Sequence, residues 1–342
     1  MKALVLKQCN QFSYEDVPVP AAGPDEVLIQ VKACGICGSD VHGMDGSTGR
    51  RRPPIIMGHE AAGVIAEVGA RVTGWAKGDR VTFDSTIYCG TCHFCRQGRV
   101  NLCDNRRVLG VSCEEYRRDG AFAEFVAVPQ HILYRLPEGL SFERAAMVEA
   151  LSIALHAVGR AVVRAGDTAV VVGAGMIGLL VIQTLRAAGC GRIIAVDVNP
   201  SRLDLARRLG ADEGLRADGD VPGEVAKRTG DRGADIAFEV VGVTAALATA
   251  IACLRKGGSA TLVGNLSPKV DLPLQQVVTR ELTLHGSCAS SGEYPQCLDM
   301  LARGTVDVGP LISAVAPLAD GAAWFERLHK GEPGLMKVIL KP

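Results

Sequence analysis

The chain has 342 residues, of which 48% are hydrophobic and 22% are charged. This length and composition suit two folded domains and exclude a disordered chain. Lys plus Arg and Asp plus Glu both number 37, and this zero net charge argues against a nucleic-acid or membrane-surface partner. Residues 1–8 lack a signal-peptide pattern, so the twelve cysteines indicate thiols and metal ligands in a reducing, cytoplasmic compartment.

Short strand patterns separated by turn residues run from the start of the chain to about residue 136. Residues 27–31 alternate apolar and polar side chains, and Pro18, Pro20 and Pro24 interrupt the pattern around them. This pattern predicts a β-rich first domain with little helix. The dense basic run at residues 50–52 is predicted to be a solvated loop, with contact to an anionic substrate as the alternative.

The stretch CGICGSDVHGMDGSTGRRRPPIIMGHE, residues 34–60, concentrates side chains that bind metals. Cys37, His59 and Glu60 are all good zinc ligands, and a catalytic zinc needs three ligands and one open position. The polar residues just after Cys37 are Ser39, Asp40 and His42. The alternative is a tight glycine turn around a buried thiol.

The segment YCGTCHFCRQGRVNLC carries four cysteines close together. They are Cys89, Cys92, Cys95 and Cys103, separated by two, two and seven residues. Four thiolates at such spacings can close a tetrahedral zinc site without an open position, which predicts a structural metal. An iron–sulfur cluster is the rival, because short spacings suit it too.

The period changes after residue 141, where residues 142–158 predict helices rich in small residues. Glu149 lies inside this apolar stretch. A buried acid needs a partner or a metal. An exposed or helix-end position for Glu149 is the alternative.

A dinucleotide-binding pattern follows. Residues 168–172 form an apolar strand, GAGMIG occupies residues 173–178, and an apolar helix extends to about residue 188. Glycines at positions 173, 175 and 178 allow a tight turn and a close approach of the backbone to a pyrophosphate. The next strand ends in Asp197, which is 22 positions after Gly175 and suits an adenosine ribose.

Strands and helices continue to alternate up to residue 286. The predicted helices cover residues 200–209 and 245–254, with a short helix ending near 280, and the predicted strands cover 234–240, 259–264 and 282–286. This alternation predicts a doubly wound parallel sheet. Residues 287–342 predict one or two helices and a last strand that returns to the first domain. The expected domains are therefore 1–148 with 287–342, and 149–286.

Together these motifs resemble the zinc-containing medium-chain dehydrogenase/reductase (alcohol dehydrogenase) family, in its branch of polyol (sorbitol-type) and threonine dehydrogenases. The resemblance rests on GICGSD, GHE, the four-cysteine lobe, VEALS, GAGMIG and Asp197, and it covers the whole chain. It implies an α/β fold with a GroES-like β-rich catalytic domain and a Rossmann domain. It also implies two zinc ions per subunit, NAD, a small alcohol or ketone substrate, and a homo-oligomer, with a tetramer favoured over a dimer, joined near residues 282–286.

The resemblance assigns roles to individual residues. Cys37 and His59 match zinc ligands, with Glu60 or Glu149 as the third, while Asp40 matches the acid that orients the histidine. Ser39 lies beside the substrate oxygen, and His42 carries the proton toward solvent. The cofactor-binding positions are Gly173, Gly175, Met176, Ile177, Gly178, Asp197, Arg202, Val241, Val263 and Gly264. With a thiolate and a carboxylate as ligands, the zinc is expected to acidify the substrate less than an all-histidine site would.

The implied reaction transfers a hydride between a secondary alcohol, such as a polyol or polyol phosphate, and NAD. A threonine 3-dehydrogenase or a general secondary-alcohol dehydrogenase stays open, as does a non-catalytic NAD-binding redox sensor. Two departures bear on the substrate. Ala150 stands where proline is common, and GSCASSGEYP at residues 286–295 lacks the arginine that polyol enzymes carry with a tyrosine. NAD is expected over NADP because Asp197 would repel a 2′-phosphate, although Arg202 is nearby.

Overall fold

The computed structural model describes residues 1–113 and 116–342, and these residues fold into two compact units. The first unit comprises Met1–Glu149, Tyr294–Arg303 and Val308–Pro342, and the second comprises Ala150–Glu293 and Gly304–Asp307. The chain thus returns to the first unit at Tyr294, several residues after the boundary that the sequence suggested. None of the helices in the described residues is both long and apolar enough to cross a membrane.

The N-terminal part of the first unit is built mainly of strands, as predicted. Its strands are β1 (Lys2–Gln8), β2 (Gln11–Asp16), β3 (Glu26–Gly35), β4 (Ile55–Ile56), β5 (Glu60–Val68), β6 (Arg80–Phe83), β7 (Thr86–Ile87), β8 (Arg107–Val108), β9 (Ser112–Cys113), β10 (Tyr116–Arg117), β11 (Phe125–Pro129) and β12 (Leu133–Arg135). The helices are α1 (Gly38–Gly43), α2 (His93–Arg96) and α3 (Phe142–Ala145).

A long central strand organises the first unit. β3 pairs antiparallel with β5, and its end places Gly35 opposite Glu60. Its alternating Val27, Ile29 and Val31 side chains are buried in the core of this unit. Because one face of β3 is packed in the core, the register is firmly specified, and it delivers the end of β3 and the start of β5 to the same place.

Helix α4 (Val148–Gly159) leads into the second unit, which alternates strands and helices. The elements that follow are β13 (Thr168–Val172), α5 (Met176–Ala187), β14 (Arg192–Asp197), α6 (Pro200–Arg208), β15 (Glu213–Arg216), α7 (Val221–Arg228), β16 (Ala234–Glu239), α8 (Thr244–Cys253), β17 (Leu254–Leu262), α9 (Leu274–Thr279) and β18 (Thr283–Gly286). The parallel sheet runs in the order β15-β14-β13-β16-β17-β18. This is the Rossmann order, which places ligands at the carboxyl ends of the strands.

Three details of the second unit differ from the prediction. Neither β15 nor α7 was predicted from the sequence. β15 was missed because it is a half-buried edge strand whose Glu213 and Gly214 do not form an apolar run. Gly257 and Gly258 precede the predicted strand over 259–264, but they lie within β17, which begins directly after α8. The NH group of Gly257 donates to the carbonyl of Arg280 at 2.8 Å, so the glycine pair is held as strand by a tertiary contact.

The C-terminal part completes the first unit. It contains α10 (Tyr294–Arg303), β19 (Ile312–Pro317), α11 (Gly321–His329) and β20 (Lys337–Lys341). The prediction had no strand at β19. β20 pairs antiparallel with the end of β3, where Ile339 lies opposite Gly35. This pairing brings Lys337, the first residue of β20, to the end of β3 where the metal-binding motif begins.

Candidate metal and cofactor sites

Cys37, His59 and Glu60 come together although they lie on different elements. Cys37 is the N-terminal cap of α1, two residues after the end of β3, while His59 precedes β5 and Glu60 begins it. One ligand atom from each residue lies within 4.8 Å of the others. The described residues thus form a three-residue group of the composition that a catalytic zinc uses.

Gly58 lies directly before His59 and Glu60, the two consecutive residues of the group. In a regular strand His59 and Glu60 would point to opposite sides. Gly58 has φ +95, and a Cβ there would lie 2.8 Å from the backbone nitrogen of Phe122. The glycine therefore permits the left-handed backbone turn and the close packing against Phe122 that lead into His59.

Glu60 has a buried cationic partner that the sequence did not reveal. The Lys337 ammonium contacts the Glu60 carboxylate and donates to the carbonyl of Ile36 at 3.1 Å, and both side chains are almost fully buried. Burial alone would lower the pKa of Lys337, but the negative charges of Glu60 and Cys37 raise it. Gly35 provides the space for the Glu60 carboxylate, because a Cβ at this position would lie 2.5 Å from Glu60 Oε2.

Asp40 lies behind His59, as the resemblance implied. Its Oδ1 is 3.4 Å from His59 Nδ1, so Nε2 is the imidazole nitrogen left for a metal. Asp40 Oδ1 also accepts from Arg51 Nη2 at 2.7 Å and from Nε at 3.2 Å. Arg51 is only 4% exposed. The prediction of a solvated loop for residues 50–52 is therefore wrong for Arg51, because its guanidinium neutralises a buried carboxylate.

The charges around His59 and Asp40 shift the pKa values of both side chains. Burial would lower the pKa of His59, but the neighbouring Asp40 and Cys37 raise it well above its usual value. Burial would raise the pKa of Asp40, yet His59 and Arg51 hold it well below its usual range. The negative charges of Asp40 and Cys37 that raise the pKa of His59 also suit the site to a bound cation.

The other residues named with this site lie around it. The exposed Ser39 donates its hydroxyl to Cys37 Sγ at 3.3 Å, and His42 is exposed three residues later on α1. Half-buried Glu149 lies near the start of α4, outside the mutually close ligand group that the described residues form. Burial and the charge of Glu60 raise its pKa to about 7.

The four lobe cysteines also form a compact group. The Sγ atoms of Cys89 and Cys95 lie 4.0 Å apart, and those of Cys89 and Cys103 lie 3.5 Å apart. With Zn–S bonds of about 2.3 Å, tetrahedral sulfurs lie about 3.8 Å apart. A cluster of several irons would hold the sulfurs farther apart, so the spacing favours a single metal ion.

The pKa values of two lobe thiols are shifted in opposite directions. Backbone NH groups of Thr91 and Cys92 lower the pKa of Cys89 to about 5, while burial and its Cys92 and Cys103 neighbours raise the pKa of Cys95 to about 12. A divalent cation would remove this conflict by stabilising all four thiolates. The four thiols of the lobe therefore suit a divalent cation, whose charge their thiolate forms would balance.

The glycine loop of the second unit has the geometry that its motif predicts. Gly173 has φ +103 and follows β13, while Gly175 caps α5 and leaves its first amides free for a phosphate. A Cβ on Gly178 would lie 1.8 Å from the carbonyl oxygen of Gly173. Met176 and Ile177, in the first turn of α5, are half-buried.

Asp197 is buried at the carboxyl end of β14. Its Oδ2 accepts from the NH of Ala174 at 2.7 Å, and its Oδ1 accepts from the NH of Asn199 at 2.8 Å. The exposed Arg202 lies 4.0 Å from Asp197 Oδ2. Asp197 thus ties the glycine loop to the neighbouring strand, a supporting role that the sequence pattern did not indicate.

The carboxyl ends of β16 and β17 carry the other cofactor-binding candidates. Val241 follows β16, and Val263 and Gly264 follow β17, where both amides bond to the Glu239 carbonyl at 2.9 and 3.0 Å. Buried Glu239, which sequence reasoning missed, accepts from the amides of Val241 and Gly242, each at 2.8 Å. The sequence feature that could have indicated Glu239 is an acid at the end of a predicted strand, directly before the residues Val-Val-Gly.

Comparison with known proteins agrees with this architecture. The family model of the alcohol dehydrogenase GroES-like domain matches residues 23–138, and that of zinc-binding dehydrogenases matches residues 177–303. Sorbitol dehydrogenase from Bacillus subtilis (strain 168) is 35% identical over 348 residues, covering 100% of this chain and 97% of that protein.

Solved structures extend the similarity to the whole fold. Alcohol dehydrogenase TADH from Thermus sp. ATN1 matches with a TM-score of 0.92 and 32% identity, covering 100% of this chain and 99% of that one. A zinc-binding dehydrogenase from Sinorhizobium meliloti 1021, bound to NADP, matches with a TM-score of 0.91 and 32% identity over 100% of this chain and 99% of that one.

The fold and the family models define a zinc-binding oxidoreductase with a GroES-like and a Rossmann part, and the fold expected from the sequence is confirmed. The chain belongs to the zinc-containing medium-chain dehydrogenase/reductase family, whose alcohol and polyol dehydrogenases it resembles over its full length. Zinc and a nicotinamide dinucleotide are the cofactors of this class of enzyme.

Proposed function

We propose that the protein oxidises a secondary alcohol of the polyol type to a ketone with NAD, using a zinc ion held by Cys37, His59 and Glu60. The convergence of these three ligand atoms within 4.8 Å, backed by Asp40, carries the proposal. When bound, zinc supplies a Lewis acid toward the alcohol oxygen, and the nicotinamide accepts the hydride. The similarity to sorbitol dehydrogenase supports the substrate class.

Lys337 sets how strongly Glu60 can act as a ligand. The ammonium competes with a metal for the same carboxylate, since both are cations close to Glu60. It also offsets the negative charge that Glu60 adds to the site, so less of the zinc charge is cancelled than the ligand types alone suggest. Glu149, whose pKa of about 7 is raised by burial and by Glu60, is the acid that would replace Glu60 if Lys337 holds it back.

Ser39 and His42 provide a route for the substrate proton. The Ser39 hydroxyl lies beside Cys37 and is exposed, so it can accept a proton from a bound alcohol and pass it on. His42 lies three residues later, on the same side of α1, and is exposed to solvent. The hydroxyl therefore accepts the substrate proton, and the imidazole delivers it to water.

NAD is proposed as the physiological cofactor. The Asp197 carboxylate lies at the end of β14, and a 2′-phosphate about 4 Å away would be repelled by about 4 kcal/mol at an effective dielectric near 20. The ratio of kcat/KM for NAD and NADP tests this proposal. Asp197→Ala should relax a preference for NAD, whereas a parent enzyme that prefers NADP would refute it.

A homo-oligomer is proposed, assembled through the edge of the Rossmann sheet. β18 is an edge strand of that sheet, and five large apolar side chains between residues 266 and 278 are 39% to 64% exposed: Leu266, Val270, Leu272, Leu274 and Val278. An exposed edge beside an apolar surface favours pairing with a second copy. Light scattering after Leu274→Glu should show smaller particles, whereas an unchanged mass would exclude this surface.

A substrate panel tests the proposed activity. Purified protein with NAD should oxidise polyols with kcat/KM well above that for ethanol, and Cys37→Ser should abolish this activity. Polyol phosphates and L-threonine belong in the same panel. Preference for either would keep the reaction class and replace the substrate, whereas inactivity toward every alcohol, with two zinc ions bound, would contradict the proposed function.

A further inference from the structure

Arg51 lies in the loop between α1 and β4, and its guanidinium reaches two residues that serve different metal ligands. Nη2 is 2.7 Å from Asp40 Oδ1, the oxygen that faces His59, and 3.4 Å from Ser39 Oγ, which donates to Cys37 Sγ. The buried Arg51 side chain therefore contacts both Asp40, which faces His59, and Ser39, which donates to Cys37.

The surroundings of Arg51 are built to hold it there. Gly43 ends α1, and a Cβ at this position would lie 2.9 Å from Arg51 Cγ. The other end of the guanidinium, Nη1, donates to the carbonyl of Arg50 at 3.2 Å. Asp40 Oδ2 is buried and has no hydrogen-bond partner among the described residues. The carboxylate is thus oriented through Oδ1 alone, where Arg51 binds it.

We propose that Arg51 is a positioning residue that aligns Asp40 with His59 and Ser39 with Cys37 through a single guanidinium. This inference rests on the proposed metal centre. The planar guanidinium can serve two acceptors at fixed angles, whereas a lysine ammonium is a point charge. The role therefore requires the shape of arginine as well as its charge, and the loop that carries Arg51 becomes part of the support of the site.

The exposed neighbour Arg50 offers a matched control in the same loop. Arg50→Met removes an equal charge without touching Asp40 or Ser39. Arg51→Met removes both contacts, Arg51→Lys keeps the charge only, and Gly43→Ala displaces the Arg51 stem without deleting a polar group. All four variants are compared with the parent holoenzyme.

Two measurements separate positioning from general stabilisation. The first is the rate at which a chelator removes the more labile zinc, and the second is kcat and KM for the alcohol. Arg51→Met should accelerate zinc loss and lower kcat by about 10–100-fold, as the loss of other groups that orient metal ligands does. Arg51→Lys and Gly43→Ala should fall between this variant and the parent, and Arg50→Met should match the parent.

The inference is overturned if Arg51→Met matches Arg50→Met in both measurements. It is also overturned if Arg51→Lys restores both fully, because charge alone would then suffice. If Arg51→Met does not fold, Arg51→Lys and Gly43→Ala decide, since both keep a buried cation opposite Asp40. Cys37→Ser tests the metal centre separately: two zinc ions and full activity in that variant would refute the centre, whatever Arg51 does.

Discussion

The two metal-binding groups of this chain are organised in opposite ways. The lobe draws Cys89, Cys92, Cys95 and Cys103 from one short segment, and its thiols are mostly half-buried. The group of Cys37, His59 and Glu60 draws on two strand ends. Two buried carboxylates at this second group, Glu60 within it and Asp40 behind His59, each have a buried cation, Lys337 and Arg51 respectively.

This contrast separates a site that a metal organises from a site that the fold organises. In the lobe, the pKa of Cys89 is lowered and that of Cys95 is raised, and a bound cation would stabilise both as thiolates. In the other group, the neighbouring sheet and two buried cations hold the carboxylates before any metal arrives. We expect the lobe to depend on its metal for structure, and the other group to keep its structure when the metal is removed.

The largest effect is expected from breaking the lobe. Cys95→Ser should abolish a zinc interaction that in small zinc domains amounts to about 10 kcal/mol. Because the lobe is local, the loss should appear as proteolysis within residues 89–103, while kcat stays within about threefold of the parent, as expected for a closed structural site. Cys9→Ser, an exposed thiol elsewhere, is the control. Loss of all zinc would show that the two groups are not independent.

Lys337→Met should be the most damaging change near the other group. It leaves the buried Glu60 carboxylate without its cation, which costs about 3–5 kcal/mol of unfolding free energy. Denaturant titration of the metal-free protein measures the loss, and Lys337→Arg should recover most of it. Stability equal to the parent would mean that the fold does not need this ion pair.

Gly35→Ala tests the space reserved for Glu60. The added methyl group would lie 2.5 Å from Glu60 Oε2, and such overpacking costs about 1–3 kcal/mol. Zinc affinity at the catalytic group should fall with it, while the lobe zinc is unchanged. Gly38→Ala, which meets nothing within 4 Å, is the matched control. Equal zinc affinity in both variants would exclude Glu60 as a ligand.

The smallest effect is expected at His42. Without this imidazole, alcohol oxidation should slow by about tenfold at pH 6 and less at pH 9, where solvent base replaces it. The pH profile of kcat for His42→Ala, compared with His329→Ala at another exposed histidine, measures this. Equal slowing at every pH would remove His42 from the proton route.

Prediction from the sequence succeeded where neighbours in the chain are neighbours in space. The glycine motif, the lobe cysteines and most strands of the Rossmann sheet follow local patterns. The buried partners of the site could not be predicted in this way. Lys337 is 277 residues from Glu60 in the chain and reaches it only because β20 pairs with β3. Arg51 looked like part of a solvated run, since its two neighbours are arginines and only the fold distinguishes the buried one.

Zinc counting in Cys37→Ser tests the central claim most directly. The account holds that one metal is bound by Cys37, His59 and Glu60 and another by the lobe. The parent should contain about two zinc ions per subunit and the variant about one. The variant should also lose about 1000-fold or more in kcat/KM, with the lobe protected from proteolysis. Two zinc ions and near-parent turnover in Cys37→Ser would contradict the account.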